Sequence, residues 1–220
     1  MSAPAKGASL LAILFCLSAA VSCSLPVKRT SPREGEAYLS RISSRRPEKG
    51  DFLYSGSFSC GGQAFPFLCL LRIEGERGTF FVFTPSGDPL GRVEQEVEGG
   101  GKVEAFSVEF RPAGEPAWIH RFLETAGRVV PLAPLLSGTW VPPGSEREVY
   151  EREGGGYLIE GEGFSLWTDE YLRPVREDVE GEDISLEVEY FYEEDETLPA
   201  RIELSSRGCR VRLSREGGER

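Results

Sequence analysis

A regular alternation of apolar and polar side chains in the last third of the chain constrains the fold most. Residues 184–192, 198–204 and 210–213 place apolar side chains at every second position and mainly charged or polar ones between them. Because successive side chains of a strand point to opposite faces, this period predicts antiparallel strands with one apolar face and one solvated face. The charged positions, such as Glu187 and Arg201, are most simply a solvated outer wall.

The same alternation recurs where the folded part begins. Residues 52–60 and 65–74 alternate on either side of Gly61 and Gly62, which predicts a β-hairpin. Before this hairpin, apolar residues recur at helical spacing, namely Ala37, Tyr38, Leu39 and Ile42. The remaining elements expected in the first half are a helix over Glu34–Ser44 and strands over 79–84, 92–98 and 103–110.

In the middle of the chain the period changes to that of helices. Residues 117–126 and 129–136 predict two short apolar helices interrupted by Gly127, Pro131 and Pro134. The roughly ten strands that we count are too many for a flat open sheet, so the sheet should curl and take the helices on its concave side. The sequence therefore predicts a mostly β fold, a curled antiparallel sheet forming an open, incomplete β-barrel with short helices as a lid.

The N-terminus has the pattern of an export signal. Lys6 precedes an apolar run over 8–20 that is too short to span a bilayer, and Ala20-Val21-Ser22-Cys23 resembles a bacterial lipobox. Ser24, rather than Asp, follows the cysteine, which favours an outer-membrane address under the usual sorting rule. An ordinary cleaved signal with an incidental Cys23 is the alternative. The expected organisation is a lipoprotein signal peptide over 1–22, a flexible tether from lipidated Cys23 over 23–33, a folded domain over 34–215 and a disordered tail over 216–220.

Charge and motif content exclude several function classes. The chain has 25 Lys+Arg against 36 Asp+Glu, a net charge of −11, which argues against a nucleic-acid binder. The lone His120 excludes a zinc cluster with more than one histidine. No phosphate-binding loop and no nucleophile elbow occurs in the sequence, so we expect no enzyme activity, no metal and no cofactor.

Two cysteines in the first hairpin are candidates for a disulfide. If the hairpin is symmetric about position 64/65, Cys60 faces Cys69 on the inner side, and a bridge is possible in an oxidising compartment. The alternative is that both are small core residues.

The turn after residues 80–84 presents an apolar side chain. A strand ends at Thr84, a turn rich in Pro and Gly follows, and Leu90 stands between Pro89 and Gly91. Such a residue is either tucked under the sheet or pushed outward. The sequence by itself favours the tucked position.

The order of these pieces resembles the LolA/LolB group of bacterial lipoprotein-localisation proteins, and within it the outer-membrane receptors of LolB type. The resembling pieces are the lipobox at Cys23, a short helix, Ser55-Gly56-Ser57-Phe58, Pro89-Leu90-Gly91, and the segments 134–138 and 198–204. The turn over 85–88 has extra residues, and no Trp stands just before Leu135. These departures leave open a relative that binds another lipid ligand.

The resemblance implies a lipid-anchored outer-membrane receptor, facing the periplasm, that binds lipoprotein acyl chains in a hydrophobic cavity and passes them into the membrane. A periplasmic LolA-like carrier would be its partner, and Leu90 would protrude to aid membrane insertion. We expect a monomer. The inward-facing candidates for the cavity are Phe58, Phe67, Leu71, Phe106, Phe110, Leu186, Val188, Tyr190 and Ile202, and those for the lid are Trp118, Phe122 and Leu135. The alternatives are a filled core in a structural envelope lipoprotein, or a site for another hydrophobic ligand or a glycolipid.

Overall fold

Strands make up most of the fold. The computed structural model describes residues 28–98, 102–110, 124, 127–128, 130–142, 147–181, 185–194 and 196–217. In this part of the chain the strands are β1 (Lys28–Arg29), β2 (Lys49–Cys60), β3 (Gln63–Glu74), β4 (Arg77–Phe83), β5 (Pro89–Glu98), β6 (Lys102–Phe110), β7 (Arg147–Glu151), β8 (Tyr157–Gly161), β9 (Phe164–Thr168), β10 (Pro174–Glu180), β11 (Ser185–Phe191), β12 (Arg201–Ser206) and β13 (Cys209–Arg215). The helices described are α1 (Pro32–Ser43) and α2 (Leu132–Leu136).

All thirteen described strands belong to one antiparallel sheet of order β1-β7-β8-β9-β10-β11-β12-β13-β2-β3-β4-β5-β6. Two meanders, β2–β6 and β7–β13, are joined by the pairing of β13 with β2. Because β1 and β6 end this order without pairing with each other, the sheet is not closed into a barrel. The predicted fold class is confirmed, with more strands than the roughly ten expected.

One apolar core gathers side chains from both meanders. It includes Val149 of β7 near one edge of the sheet and Val93 of β5 near the other, so the sheet curls around it. Alternate residues of each strand form an inner face, which carries the core, and an outer face. In β2, for example, Tyr54 and Phe58 are buried on the inner face, whereas Leu53 is exposed on the outer face.

The described secondary structure includes residues before the domain boundary that the sequence predicts. β1 pairs with β7, and α1 starts at Pro32 with a capping box in which Ser31 and Glu34 bond each other's backbone N–H groups. The predicted tether over 23–33 therefore includes residues that belong to the sheet and to the helix cap. The predicted signal peptide over 1–22 and residues 23–27 of the tether, which include Cys23, lie outside the described part of the chain.

The first hairpin turns earlier than its predicted symmetry about 64/65. Gly61 and Gly62 occupy the turn with φ of +59° and +82°, values that glycine adopts without a Cβ clash. Cys60 consequently pairs with Gln63, and Cys69 lies across from Tyr54.

This register corrects the predicted Cys60–Cys69 bridge. The disulfide joins Cys60 to Cys209 of β13, its partner across the β13–β2 pairing, with a Cα–Cα distance of 4.2 Å. Cys69 is a free, buried thiol, and burial raises its pKa well above the ordinary value.

The helices predicted in the middle of the chain are only partly described. Most of 117–126 lies outside the described residues, while the helix predicted over 129–136 is the shorter α2, which begins after Pro131. Pro134 is tolerated there because it falls in the first turn, where its missing N–H costs no intrahelical bond. Among the helices that the structure describes, none has the length and apolar character needed to cross a membrane.

Candidate functional site

The inner face of the sheet brings together the described residues that were predicted to line a cavity. Alternation placed each of them on this face, and their neighbours across the strands are also inward-facing. Phe58, Leu71, Leu186, Val188, Tyr190 and Ile202 are buried there, and Phe67 and Phe106 are partly buried against the same core. Phe110 lies at the end of β6, and its side chain is outside the described set.

A stretch of the chain itself packs on this face. We call residues 130–142 the inner segment; all of them except the partly buried Leu132 are buried. Ala133 of α2 lies directly over Gly78 of β4, where an added Cβ would stand 2.9 Å from the Ala133 Cβ. Leu135, a predicted lid residue, is fully buried in this segment. In the described part of the chain, the inner face is therefore covered by the protein's own residues.

Two of the described inner-face side chains hold the inner segment by its backbone. Buried Gln95 of β5 donates through Nε2 to the Val130 carbonyl at 2.9 Å, and its Oε1 accepts from the Leu132 N–H at 2.7 Å. The Tyr54 hydroxyl donates to the Leu136 carbonyl at 3.4 Å. These bonds satisfy backbone groups that an apolar interior would otherwise leave unpaired. Gln95 is a polar residue at an inward position, and the apolar alternation gives no sign of its role.

The inner face also holds a carboxylic acid that sequence analysis missed. Glu177 of β10 is 1% exposed and lies between Leu166 of β9 and Val188 of β11. Among the described residues, its carboxyl oxygens and the Tyr190 hydroxyl make no hydrogen bond of normal geometry. Burial raises the pKa of Glu177 to about 8, and the neighbouring Tyr190 hydroxyl offsets this only in part. Glu177 is therefore mostly protonated at neutral pH.

The predicted lid residues Trp118 and Phe122 lie outside the described part of the chain. Leu135 alone of the three can be placed, and it belongs to the packed interior. Among the described residues, the inner segment 130–142 is therefore the part of the chain that covers the inner face.

The Pro89-Leu90-Gly91 sequence opens β5. The preceding turn is closed by backbone bonds from Thr84 N–H to the Asp88 carbonyl at 2.8 Å and from Gly87 N–H to the Thr84 carbonyl at 2.9 Å. Pro89 is exposed, whereas Leu90 is partly buried against the core. In this structure Leu90 does not protrude in the way that the resemblance implies.

A groove of about 580 Å³ lies at the ends of β10–β13, beside the disulfide. Most of its lining side chains point outward from the sheet, and they include Arg176, Asp178, Glu187 and Arg210. Arg176 bonds Asp178 and Glu187, each at 3.0 Å. Because these groups are charged and solvated, the groove does not suit hydrocarbon chains.

Comparison with solved structures relates this architecture to known proteins. A DUF1329 family protein from Desulfovibrio piger superposes with a TM-score of 0.56 at 11% identity, covering 86% of this chain and 92% of that chain. A putative outer membrane lipoprotein-sorting protein domain from Vibrio parahaemolyticus gives a TM-score of 0.51 at 10% identity, covering 85% and 92%. The chain shares their fold. A LolA superfamily protein from Nitrosomonas europaea gives a TM-score of 0.48 at 10% identity, covering 83% and 91%.

At such low identities the likeness concerns the fold alone. Comparison of the sequence finds no matching family model and no matching curated protein.

Proposed function

We propose that this protein is a lipid-anchored receptor of the bacterial outer membrane that binds lipoprotein acyl chains on its inner face and passes them into the membrane. The observation that carries the proposal is the largely apolar inner face, which is covered by a segment of the chain that is tied to the sheet through Gln95 and Tyr54. Hydrocarbon chains can replace that segment without bringing the inner face into water.

Three observations support an envelope location. The shared fold occurs in a protein described as a putative outer membrane lipoprotein-sorting domain. The Cys60–Cys209 disulfide suits a compartment more oxidising than the cytosol. Residues 8–20 form an apolar run, which is followed by the lipobox-like Ala20-Val21-Ser22-Cys23. In this proposal, acyl chains attached to Cys23 hold the protein at the membrane and a LolA-like periplasmic carrier delivers the client.

Such a transfer requires no bond making. Each buried CH₂ gains about 0.8 kcal/mol whether it enters the protein interior or the bilayer, so hand-over is driven by small differences in affinity. The receptor must bind acyl chains more tightly than the carrier does and less tightly than the membrane does. No catalytic residue is needed, and we propose a role without enzymatic activity.

Locking the inner segment onto the sheet should block acyl-chain binding. In the double variant Gly78→Cys/Ala133→Cys, the two Cβ atoms would start 2.9 Å apart, which is shorter than the roughly 3.5–4.5 Å found in disulfides. The bridge therefore forms once α2 moves slightly away from β4. The oxidised variant should bind a fluorescent triacylated lipopeptide about tenfold more weakly or worse, measured by anisotropy.

The matched control for the lock is Ala133→Cys alone, oxidised in the same way and keeping the native disulfide. It should bind the lipopeptide like the wild type. Equal binding by the oxidised double variant and this control would show that the inner segment does not have to move, and would count against binding on the inner face.

A charge at Leu90 should impair delivery of lipoproteins to membranes. Leu90→Glu removes an apolar side chain worth about 1.5–3 kcal/mol in an apolar phase and adds a charge. We expect slower transfer to vesicles with carrier binding unchanged. Because Leu90 is partly buried against the core, urea unfolding of the variant is measured as well, so that a loss of stability is distinguished from a loss of transfer. Ser86→Glu, which adds the same charge at an exposed position of the same turn, should transfer normally. Full delivery by Leu90→Glu would refute a role for this residue at the membrane.

The covered inner face also favours a second candidate, an envelope lipoprotein with a structural role. A related possibility is a different hydrophobic ligand or a glycolipid. Native mass spectrometry of the purified protein separates these functions: a co-purifying acylated peptide supports the receptor, another lipid identifies another ligand, and a bare protein that also fails to bind lipopeptide supports the structural role.

A further inference from the structure

The outer face of the sheet carries an apolar patch where solvent-facing strands usually carry polar side chains. Leu53 of β2, Leu70 of β3 and Phe81 of β4 are direct neighbours in the register, and Leu68 and Phe83 form the adjoining row. Leu53 is 43% exposed, and the other four are partly exposed. A contiguous exposed apolar group of this kind marks an interaction surface.

Basic side chains border this patch on one side. Residues 201–215, which form β12 and β13, contain five arginines and one acidic residue in a chain of net charge −11. On the outer face, Arg210 and Arg212 of β13 lie beside Ser59 and Ser57 of β2, the strand that also carries Leu53. Positive charge is therefore concentrated next to the patch.

Arginines also flank the centre of the patch. The guanidinium groups of Arg72 and Arg92 lie 6.0 and 5.7 Å from the centre of the Phe81 ring. Arg72 is bonded to Asp51 at 2.9 Å, and Arg92 is paired with Glu94. These two pairs carry no net charge. On β12 and β13, Arg201 and Arg212 share the single carboxylate of Glu203, at 3.6 and 2.8 Å, so the net positive charge of this surface comes from these two strands.

We propose that this outer face, the apolar patch together with the arginines of β13, docks on a bilayer containing anionic phospholipids. Leucine and phenylalanine side chains would enter the interface while guanidinium groups meet lipid phosphates. The acidic remainder of the protein is repelled by the same bilayer, which fixes the orientation. A second copy of this chain is a poorer occupant, because a symmetric contact would bring the β13 arginines of the two copies near each other. The proposal stands on this surface alone and does not depend on acyl-chain binding.

An environment-sensitive label tests which face meets the membrane. The full chain carries NBD at Leu53→Cys, and a second preparation carries it at Tyr171→Cys, an exposed position in the turn between β9 and β10. Both are mixed with phosphatidylcholine vesicles, with or without phosphatidylglycerol, containing brominated lipids as quenchers. We expect a blue shift and quenching at position 53 only when phosphatidylglycerol is present, and neither change at position 171.

Charge variants test the role of the arginines. Each basic group near an anionic bilayer contributes roughly fivefold to affinity, so Arg210→Gln/Arg212→Gln should bind phosphatidylglycerol vesicles about 30-fold more weakly in sedimentation assays. Arg41→Gln/Lys102→Gln removes two charges elsewhere and should change binding much less. The proposal is wrong if both double variants lose the same affinity for phosphatidylglycerol vesicles. It is also wrong if the label at position 53 is not quenched by the bilayer, or if a second copy of the chain already shields that label in solution.

Discussion

Replacing both Cys60 and Cys209 with serine should lower the free energy of unfolding by about 2–5 kcal/mol. The disulfide links residues 149 positions apart, so in the chain-entropy model it restricts the unfolded chain strongly. It also lies at the pairing of β13 with β2, the contact that joins the two meanders. Urea unfolding followed by tryptophan fluorescence measures the change.

A reducing agent supplies the control for this prediction. Reduction should bring the wild-type unfolding midpoint down to that of the double variant and should leave the variant unchanged. Burial raises the pKa of the Cys69 thiol and keeps it unreactive in the folded protein, and the unfolding samples are held at acidic pH so that it also stays a thiol once exposed. Equal midpoints for oxidised wild type and variant would contradict the expected stabilisation.

The cysteines show what alternation can and cannot predict. The period of two correctly places Cys60 on the inner side of β2, because the face of a residue depends only on its position along the strand. The partner depends on the register, and the register depends on the turn at Gly61 and Gly62. A distant strand, β13, was also available, and pairing across 149 positions is not visible in a local pattern.

The same division applies to the candidate site. Alternation placed the described cavity candidates on the inner face, but the space that remains beside them depends on how residues 130–142 pack. That packing rests on Gln95, which interrupts the apolar pattern between Val93 and Val97. Strand β10 was missed for a similar reason: its inward positions include Glu177, so no apolar alternation reveals it.

Glu177→Gln should stabilise the protein in a manner that depends on pH. The pKa of Glu177 is about 8 in the folded protein against an ordinary value of 4.5, because burial disfavours the charged form. Between these values the folded protein holds a proton that the unfolded chain has released, so the stability of the wild type falls by about 1.4 kcal/mol per pH unit as the pH rises. The stabilisation that comes from keeping this proton in the folded protein is complete below pH 4.5 and is lost by about pH 8.

Glutamine has no proton to lose, so the free energy of unfolding of the variant does not fall with pH for this reason. Its free energy of unfolding should match the wild type near pH 4.5 and exceed it by roughly 4 kcal/mol at pH 8. Chemical denaturation at both pH values measures the difference, and all other titrating groups cancel because they are common to both proteins. Glu180→Gln, an exposed position in the same strand, is the matched control and should show no such divergence. A constant difference between Glu177→Gln and wild type would mean that the folded protein does not keep this carboxyl group protonated in its interior.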